Sequence, residues 1–171
     1  MPFRIRQFNK SDFETLWKID QACFDPQMAY SRPELAFYMR RPGSFTLVAE
    51  AEGTGKSAAS DATKKEPQSA ETPAVLGFIV AETRRPTGHI ITIDVIEAAR
   101  RLGVGSALLL AAEDRLRSDG AETVSLETAV NNNAAIRFYR QKGYFVEKTV
   151  PGYYSNDLDA LEMTKELQGK G

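Results

Sequence analysis

The 171-residue chain carries 22 Lys and Arg against 23 Asp and Glu, a formal net charge of −1, so nothing in its overall charge draws it to nucleic acid or to an anionic membrane. One cysteine, Cys23, excludes an intramolecular disulfide and a two-cysteine metal site. A hydrophobic share of 42% and a charged share of 26% suit one ordinary globular domain over residues 1–171.

The opening Met1-Pro2-Phe3-Arg4 lacks the apolar stretch of a signal peptide. No apolar run nears the roughly 18 residues that cross a bilayer, so a cytoplasmic protein is expected. Phe3–Phe8 alternates apolar and polar residues and predicts a half-buried strand. Ser11-Asp12-Phe13-Glu14 reads as a capping box opening a helix that buries Phe13, Leu16, Trp17 and Cys23. Ser31-Arg32-Pro33-Glu34 predicts a second helix start, with proline in its first turn. The connection Phe24-Asp25-Pro26-Gln27-Met28-Ala29-Tyr30 between them is apolar for a loop, as if it covered something.

Strands are predicted at Ser44–Ala49 and Val75–Val80. Between them, residues 51–73 hold no aromatic residue and no Ile, Leu, Val or Met, which predicts a disordered hairpin insertion. Its Gly53-Thr54-Gly55-Lys56-Ser57 ends like a phosphate-binding P-loop, but the first glycine of that motif would fall at Glu50 and no helix follows. His89–Val95 is a β-branched strand. Arg100-Arg101-Leu102-Gly103-Val104-Gly105 follows as a glycine turn. A helix is then expected to bury Leu108, Ala111, Ala112 and Leu116 and to stop at Gly120. Thr123–Thr128 is a further strand. Asn131-Asn132-Asn133 caps a short helix with Ala135, Ile136 and Tyr139 that ends at Gly143, and strands near Phe145–Val150 and Leu158–Lys165 close the chain.

Four features bear on chemistry. A helix start offers unpaired amides and the positive end of its dipole. Gly103 and Gly105 let an anion approach those amides, with Arg100 and Arg101 alongside. The same turn also reads as a plain strand-to-helix connection with two solvated arginines. It is not a dinucleotide fingerprint, since Ser106-Ala107-Leu108 follows in place of a third glycine. Glu127 shares a strand face with Ser125, opposite Val124 and Leu126, and alone it reads as an exposed glutamate. Tyr139 lies one helical turn after Ala135 and alone reads as packing, as Asn132 reads as a helix cap. His89 is the single histidine, and strict alternation puts it on one face with Ile91 and Ile93, as a hydrogen-bonded core residue.

Taken together, residues 88–165 resemble the GNAT N-acetyltransferases, and among them the RimI-type and archaeal N-terminal protein acetyltransferases. The family motif Q/R-x-x-G-x-G/A matches Arg100–Gly105. An acidic strand end followed by N-x-x-A-x-x-x-Y matches Glu127, Asn132, Ala135 and Tyr139. Gly143-Tyr144 and the tail from Gly152-Tyr153-Tyr154 to Met163 also match. Residues 3–50 fit the family's opening elements with weaker motifs, and the loop at Phe24–Tyr30 departs from the F-P-W/Y pattern common in RimI-type enzymes.

The resemblance implies an α/β fold, with a mixed, mostly antiparallel sheet flanked by helices and splayed between strands 4 and 5. It implies acetyl-CoA as cosubstrate and no metal. The amides and side chains of Arg100, Arg101, Leu102, Gly103, Val104, Gly105 and Ser106 would hold the pyrophosphate. Ile93, Asp94 and Val95 would pair with the pantetheine arm as an added strand, and Asn132 and Tyr139 would touch the cofactor. The implied catalytic roles are Glu127 as general base, Tyr139 as general acid to the thiolate, and His89 in deprotonation, as in archaeal relatives. An amide near Val95 would receive the oxyanion. A modest base suffices for a peptide α-amine, with a pKa of about 8, whereas lysine, near 10.4, needs more help. Phe24, Met28 and Tyr30 on one side and Tyr153 and Tyr154 on the other would wall a narrow entrance for a protein or peptide N-terminus, for instance that of a ribosomal protein. Acetylation of a small amine, or acyl-CoA binding without turnover, are the other readings.

Overall fold

The computed structural model describes residues 2–53 and 74–167. The predicted insertion, with its P-loop-like glycines, falls almost wholly outside these residues. Among the described residues, seven strands form one sheet in the order β1-β2-β3-β4-β5-β7-β6. They are β1 (Phe3–Gln7), β2 (Ser44–Ala51), β3 (Val75–Arg84), β4 (Thr87–Val95), β5 (Thr123–Ala129), β6 (Phe145–Val150) and β7 (Ala160–Glu166). All neighbours are antiparallel except β4 and β5, which are joined through a helix and run parallel. The expected α/β architecture is therefore the one formed. No described helix is long and apolar enough to cross a membrane.

Helices α1 (Phe13–Cys23) and α2 (Arg32–Arg40) cover one face, and α3 (Val104–Ser118) and α4 (Asn133–Gln141) lie on the other. Leu16, Ile19 and Leu35 pack on Val48, Phe78 and Val80 on the first face. Leu108, Leu109, Ala112 and Leu116 pack on Ile79, Ile90, Val124 and Leu126 on the second. Strand β3 is buried on both faces, which explains its unbroken run Val-Leu-Gly-Phe-Ile-Val-Ala. Gly120 ends α3 with φ +99°, its amide donating to Arg117 and that of Ala121 to Leu116.

The start of α1 differs from expectation. A short 3-10 turn at Lys10–Asp12 precedes the helix, and the Asn9 amide donates to Asp12 Oδ2 at 2.8 Å. Arg6 grips the same carboxylate through two bonds of 2.8 and 2.9 Å, so Asp12 closes this end and not Ser11 with Glu14. Glu14 instead pairs with Arg32. Buried in α1 are Leu16, Ile19 and Asp20, while Phe13, Trp17 and Cys23 are half-buried. The start of α2 is as expected, with Ser31 and Glu34 exchanging bonds of 3.2 and 3.1 Å.

A bulge in β4 governs the site. Val80 faces Thr92 and Ala81 faces Ile90, so Ile91 is extra. Before the bulge His89 lies opposite Glu82, and after it Asp94 lies opposite Phe78. Glu82 and Phe78 are both on the α1/α2 face of β3. The extra residue therefore puts His89 and Asp94, an odd number apart, on one face, and sends Ile93 and Val95 to the α3 side with its core. Strict alternation, which grouped His89 with Ile93, fails here for that reason.

Candidate active site

Strands β4 and β5 pair only where Thr87, Gly88 and His89 meet Thr123, Val124 and Ser125. Beyond that point both continue but diverge, and a cavity of about 140 Å³ lies against the opening. Its floor is Ile90–Ile93 and Leu126–Ala129, with Asn132, Ala135 and Tyr139 from the α4 region. Phe24, Met28 and Tyr30 form one wall and Tyr153 and Tyr154 the other. The two walls are tied by a 2.7 Å hydrogen bond from Ser155 Oγ to the Gln27 carbonyl.

Glu127 lies on this cavity, and its Oε2 is 2.6 Å from His89 Nε2. Both side chains reach the same side because β4 and β5 are in register at His89 and Ser125, two residues before Glu127. On its other side, His89 Nδ1 is 3.7 Å from Glu82 Oε1. Glu82, 4% exposed, is held in turn by Arg41 at 3.4 Å and Arg84 at 3.7 Å. Burial opposes charge on the imidazole, but the bond and charge of Glu127, with the charge of Glu82, outweigh it and raise the histidine above its ordinary pKa. Because His89 is the single histidine, its NMR titration is unambiguous. Its midpoint is expected above 6.5, and Glu127→Gln, which removes the larger of the two carboxylate effects, is expected to lower it. An unmoved midpoint would mean that the two side chains do not interact in solution.

The glycine turn lies at the far end of β4. Gly103 is the residue before α3, with φ +84°, and Arg101 is also left-handed at φ +67°. An L side chain rarely tolerates the Gly103 geometry, which turns the first amides of α3 outward. The nearest atoms a Cβ on Gly105 would meet are Phe138 at 3.6 Å and Val95 at 3.8 Å, so the space over it lies between the end of β4 and α4. Arg100, Arg101 and Leu102 are exposed, Val104 is buried, and Gly105 and Ser106 are half-buried.

The open edge of β4 is narrower than expected. The Ile96 amide donates to Leu76 on β3, so alternation turns Asp94 toward β3 as well and leaves Ile93 and Val95 facing the opening. The Val95 carbonyl there receives Arg100 Nε at 3.3 Å and Cys23 Sγ at 3.4 Å. Asp94 thus does not belong to that edge. Its carboxyl is buried against Asp20 of α1, a pairing that periodicity did not announce. The clue was a lone aspartate on the apolar stripe Leu16-Ile19-Cys23.

Tyr139 is 7% exposed, and burial, with Asp94 and Tyr154 nearby, holds its phenol protonated far above neutrality. Tyr154 is pushed up to about 12 by burial and by Glu127. Asn132 Oδ1 caps α4 by accepting the Ala135 amide at 3.1 Å, and the residue also lines the cavity.

Residues 13–144 match the model of the acetyltransferase (GNAT) family. Over 163 residues, 95% of this chain and 90% of the relative, the sequence is 30% identical to an uncharacterized N-acetyltransferase of Methanocaldococcus jannaschii. Over 81 residues, 47% of this chain and 48% of the relative, it is 40% identical to an N-alpha-acetyltransferase of Sulfurisphaera tokodaii. The crystal structure of Ard1 from Thermoplasma volcanium superposes with a TM-score of 0.80 at 27% identity, covering 99% of this chain and 100% of that one. The ribosomal-protein-S18-alanine N-acetyltransferase of Escherichia coli shares the fold, with a TM-score of 0.76 at 19% identity over 99% and 97% of the two chains.

Proposed function

This chain belongs to the acetyltransferase (GNAT) family and is an N-acetyltransferase, and we propose that it acetylates the N-terminal α-amine of a protein, such as a ribosomal protein, with acetyl-CoA as donor. The observation that carries this reading is the 2.6 Å contact between Glu127 and His89 on a cavity with two tied, aromatic-rich walls. A narrow entrance admits a chain end. Support comes also from the N-alpha-acetyltransferase and the N-terminal acetyltransferase catalytic subunits among its relatives.

In this reading the left-handed Gly103 and the first amides of α3 hold the donor's pyrophosphate, with Arg100 and Arg101 adding charge. The Ile93 and Val95 edge lies along its pantetheine arm, and Asn132 touches the donor. Bound acetyl-CoA supplies the activated acyl group. Glu127, backed by His89, removes the proton from the incoming ammonium, whose pKa of about 8 asks only for a modest base. An amide near Val95, on the open edge, stabilises the oxyanion in this reading. The Tyr139 phenol donates to the leaving thiolate as the C–S bond breaks, and is reprotonated by the proton that the newly acylated nitrogen sheds in becoming an amide.

Tyr139→Phe keeps the packing and removes only the hydroxyl, so kcat is expected to fall about a hundredfold with little change in melting temperature. Equal loss of both would make Tyr139 a packing residue. The α-amine assignment is tested by initial rates on peptides with free or formylated N-termini, each carrying an internal lysine. Only the free peptides are expected to turn over. Equal rates on both would point to the lysine, and turnover of small amines alone to a small-molecule enzyme.

A further inference from the structure

Asp20 and Asp94 are two fully buried carboxyls, 0% and 1% exposed. Asp20 Oδ2 accepts the Tyr30 amide at 2.7 Å, and Asp94 Oδ1 accepts the Thr92 hydroxyl at 2.6 Å. The second oxygen of each, Asp20 Oδ1 and Asp94 Oδ2, has no other donor among the described residues. Neither carboxyl has an ion-pair partner there. The titratable groups around them are Glu34 of α2, Cys23 of α1, Tyr30 of the wall loop and Tyr139 of α4. Arg100 is the cation toward this cluster, and it is spent on Val95 and Cys23. Two adjacent buried carboxylates without a cation cannot both stay ionised.

We propose that Asp20 and Asp94 share one proton, and that this carboxyl pair is the clamp seating the acceptor wall against the donor-side strand. The links are specific. Asp20 is on α1 and holds the amide of Tyr30, whose carbonyl is held from the same helix by Trp17 at 3.0 Å and Gln21 at 2.7 Å. Asp94 is on β4 beside the edge at Val95, and only the Ile91 bulge puts it on the α1 face. The proton therefore joins the wall carrying Phe24, Met28 and Tyr30 to the strand that flanks the opening. Burial holds both acids above the usual carboxylate range, consistent with this sharing. Both are positioning residues, since neither needs to touch substrate.

The sign of the pH effect follows. The folded chain keeps a proton that the unfolded chain has released above about pH 5, so stability falls as pH rises until the pair ionises. Asp94→Asn supplies a permanent donor and removes that loss. Melting curves of the whole chain from pH 5 to 9 should therefore show the variant level with wild type at pH 5. As pH rises the variant should melt increasingly higher, by about 3 °C or more at pH 9. A variant that melts lower throughout, or a gap independent of pH, would overturn the shared proton. This arm needs no acceptor and is independent of the α-amine reading. The clamp itself rests on that reading and is tested by Asp20→Leu, expected to raise the peptide KM about tenfold with acetyl-CoA affinity unchanged. Asp20→Asn, which keeps an acceptor for Tyr30, should recover most of the loss. A peptide KM unmoved in Asp20→Leu would overturn the clamp, while failure of the α-amine reading shows as no peptide turnover in wild type.

Discussion

Glu127→Gln is expected to lower kcat by roughly two to three orders of magnitude while leaving acetyl-CoA binding intact. The substitution keeps size and strand geometry, and Gln still reaches His89 across the 2.6 Å contact. It removes the carboxylate, and with it both the proton acceptor and the larger part of the charge that holds the histidine's affinity for protons. Single-turnover rates across pH check this. Wild type should rise with pH as His89 and the amine deprotonate, and the variant should show a residual rate that tracks only the fraction of neutral amine. A variant retaining more than a tenth of the rate would transfer the role of base elsewhere.

Gly103→Val is expected to weaken acetyl-CoA binding at least about tenfold. At φ +84° a non-glycine residue costs on the order of 1–2 kcal/mol, more when β-branched. The turn escapes that cost only by rotating, which re-aims the amides at the start of α3. Gly105→Ala separates the two causes, because its Cβ meets Phe138 and Val95 at ordinary contact distances. The free protein should melt as wild type does, while the stabilisation given by saturating acetyl-CoA shrinks. Calorimetric titration reads both. Undiminished binding in both variants would mean that the anion is held elsewhere.

Local chemistry made much of this site legible in the sequence. Gly103, the Asn132 cap and the shared face of Ser125 and Glu127 each follow from rules that act within a few residues. The walls at Phe24–Tyr30 and Tyr153-Tyr154 could be suspected because apolar loops are rarely idle, and all five of those side chains line the cavity. What escaped depends on partners distant in the chain. The bulge at Ile91 exists only in the pairing of β3 with β4, so nothing in His89–Val95 announced that parity would change there. Alternation therefore groups His89 with Ile93 where the bulge separates them, and gives no sign of Glu82 behind the histidine. The Arg6 grip on Asp12 likewise overrode a local capping pattern that was sound by itself. The insertion at 51–73 is a further expectation, and it lies almost wholly outside the described residues.

The nitrogen that receives the acetyl group decides what this enzyme does. The direct measurement incubates the enzyme and acetyl-CoA with a library of short peptides, each having a free N-terminus and an internal lysine, and locates the added acetyl by fragmentation mass spectrometry. The expected result is acetyl on the α-amine, with a preference among first residues and no product from Glu127→Gln. Acetyl on lysine side chains, or none on any peptide while small amines are modified, would contradict it.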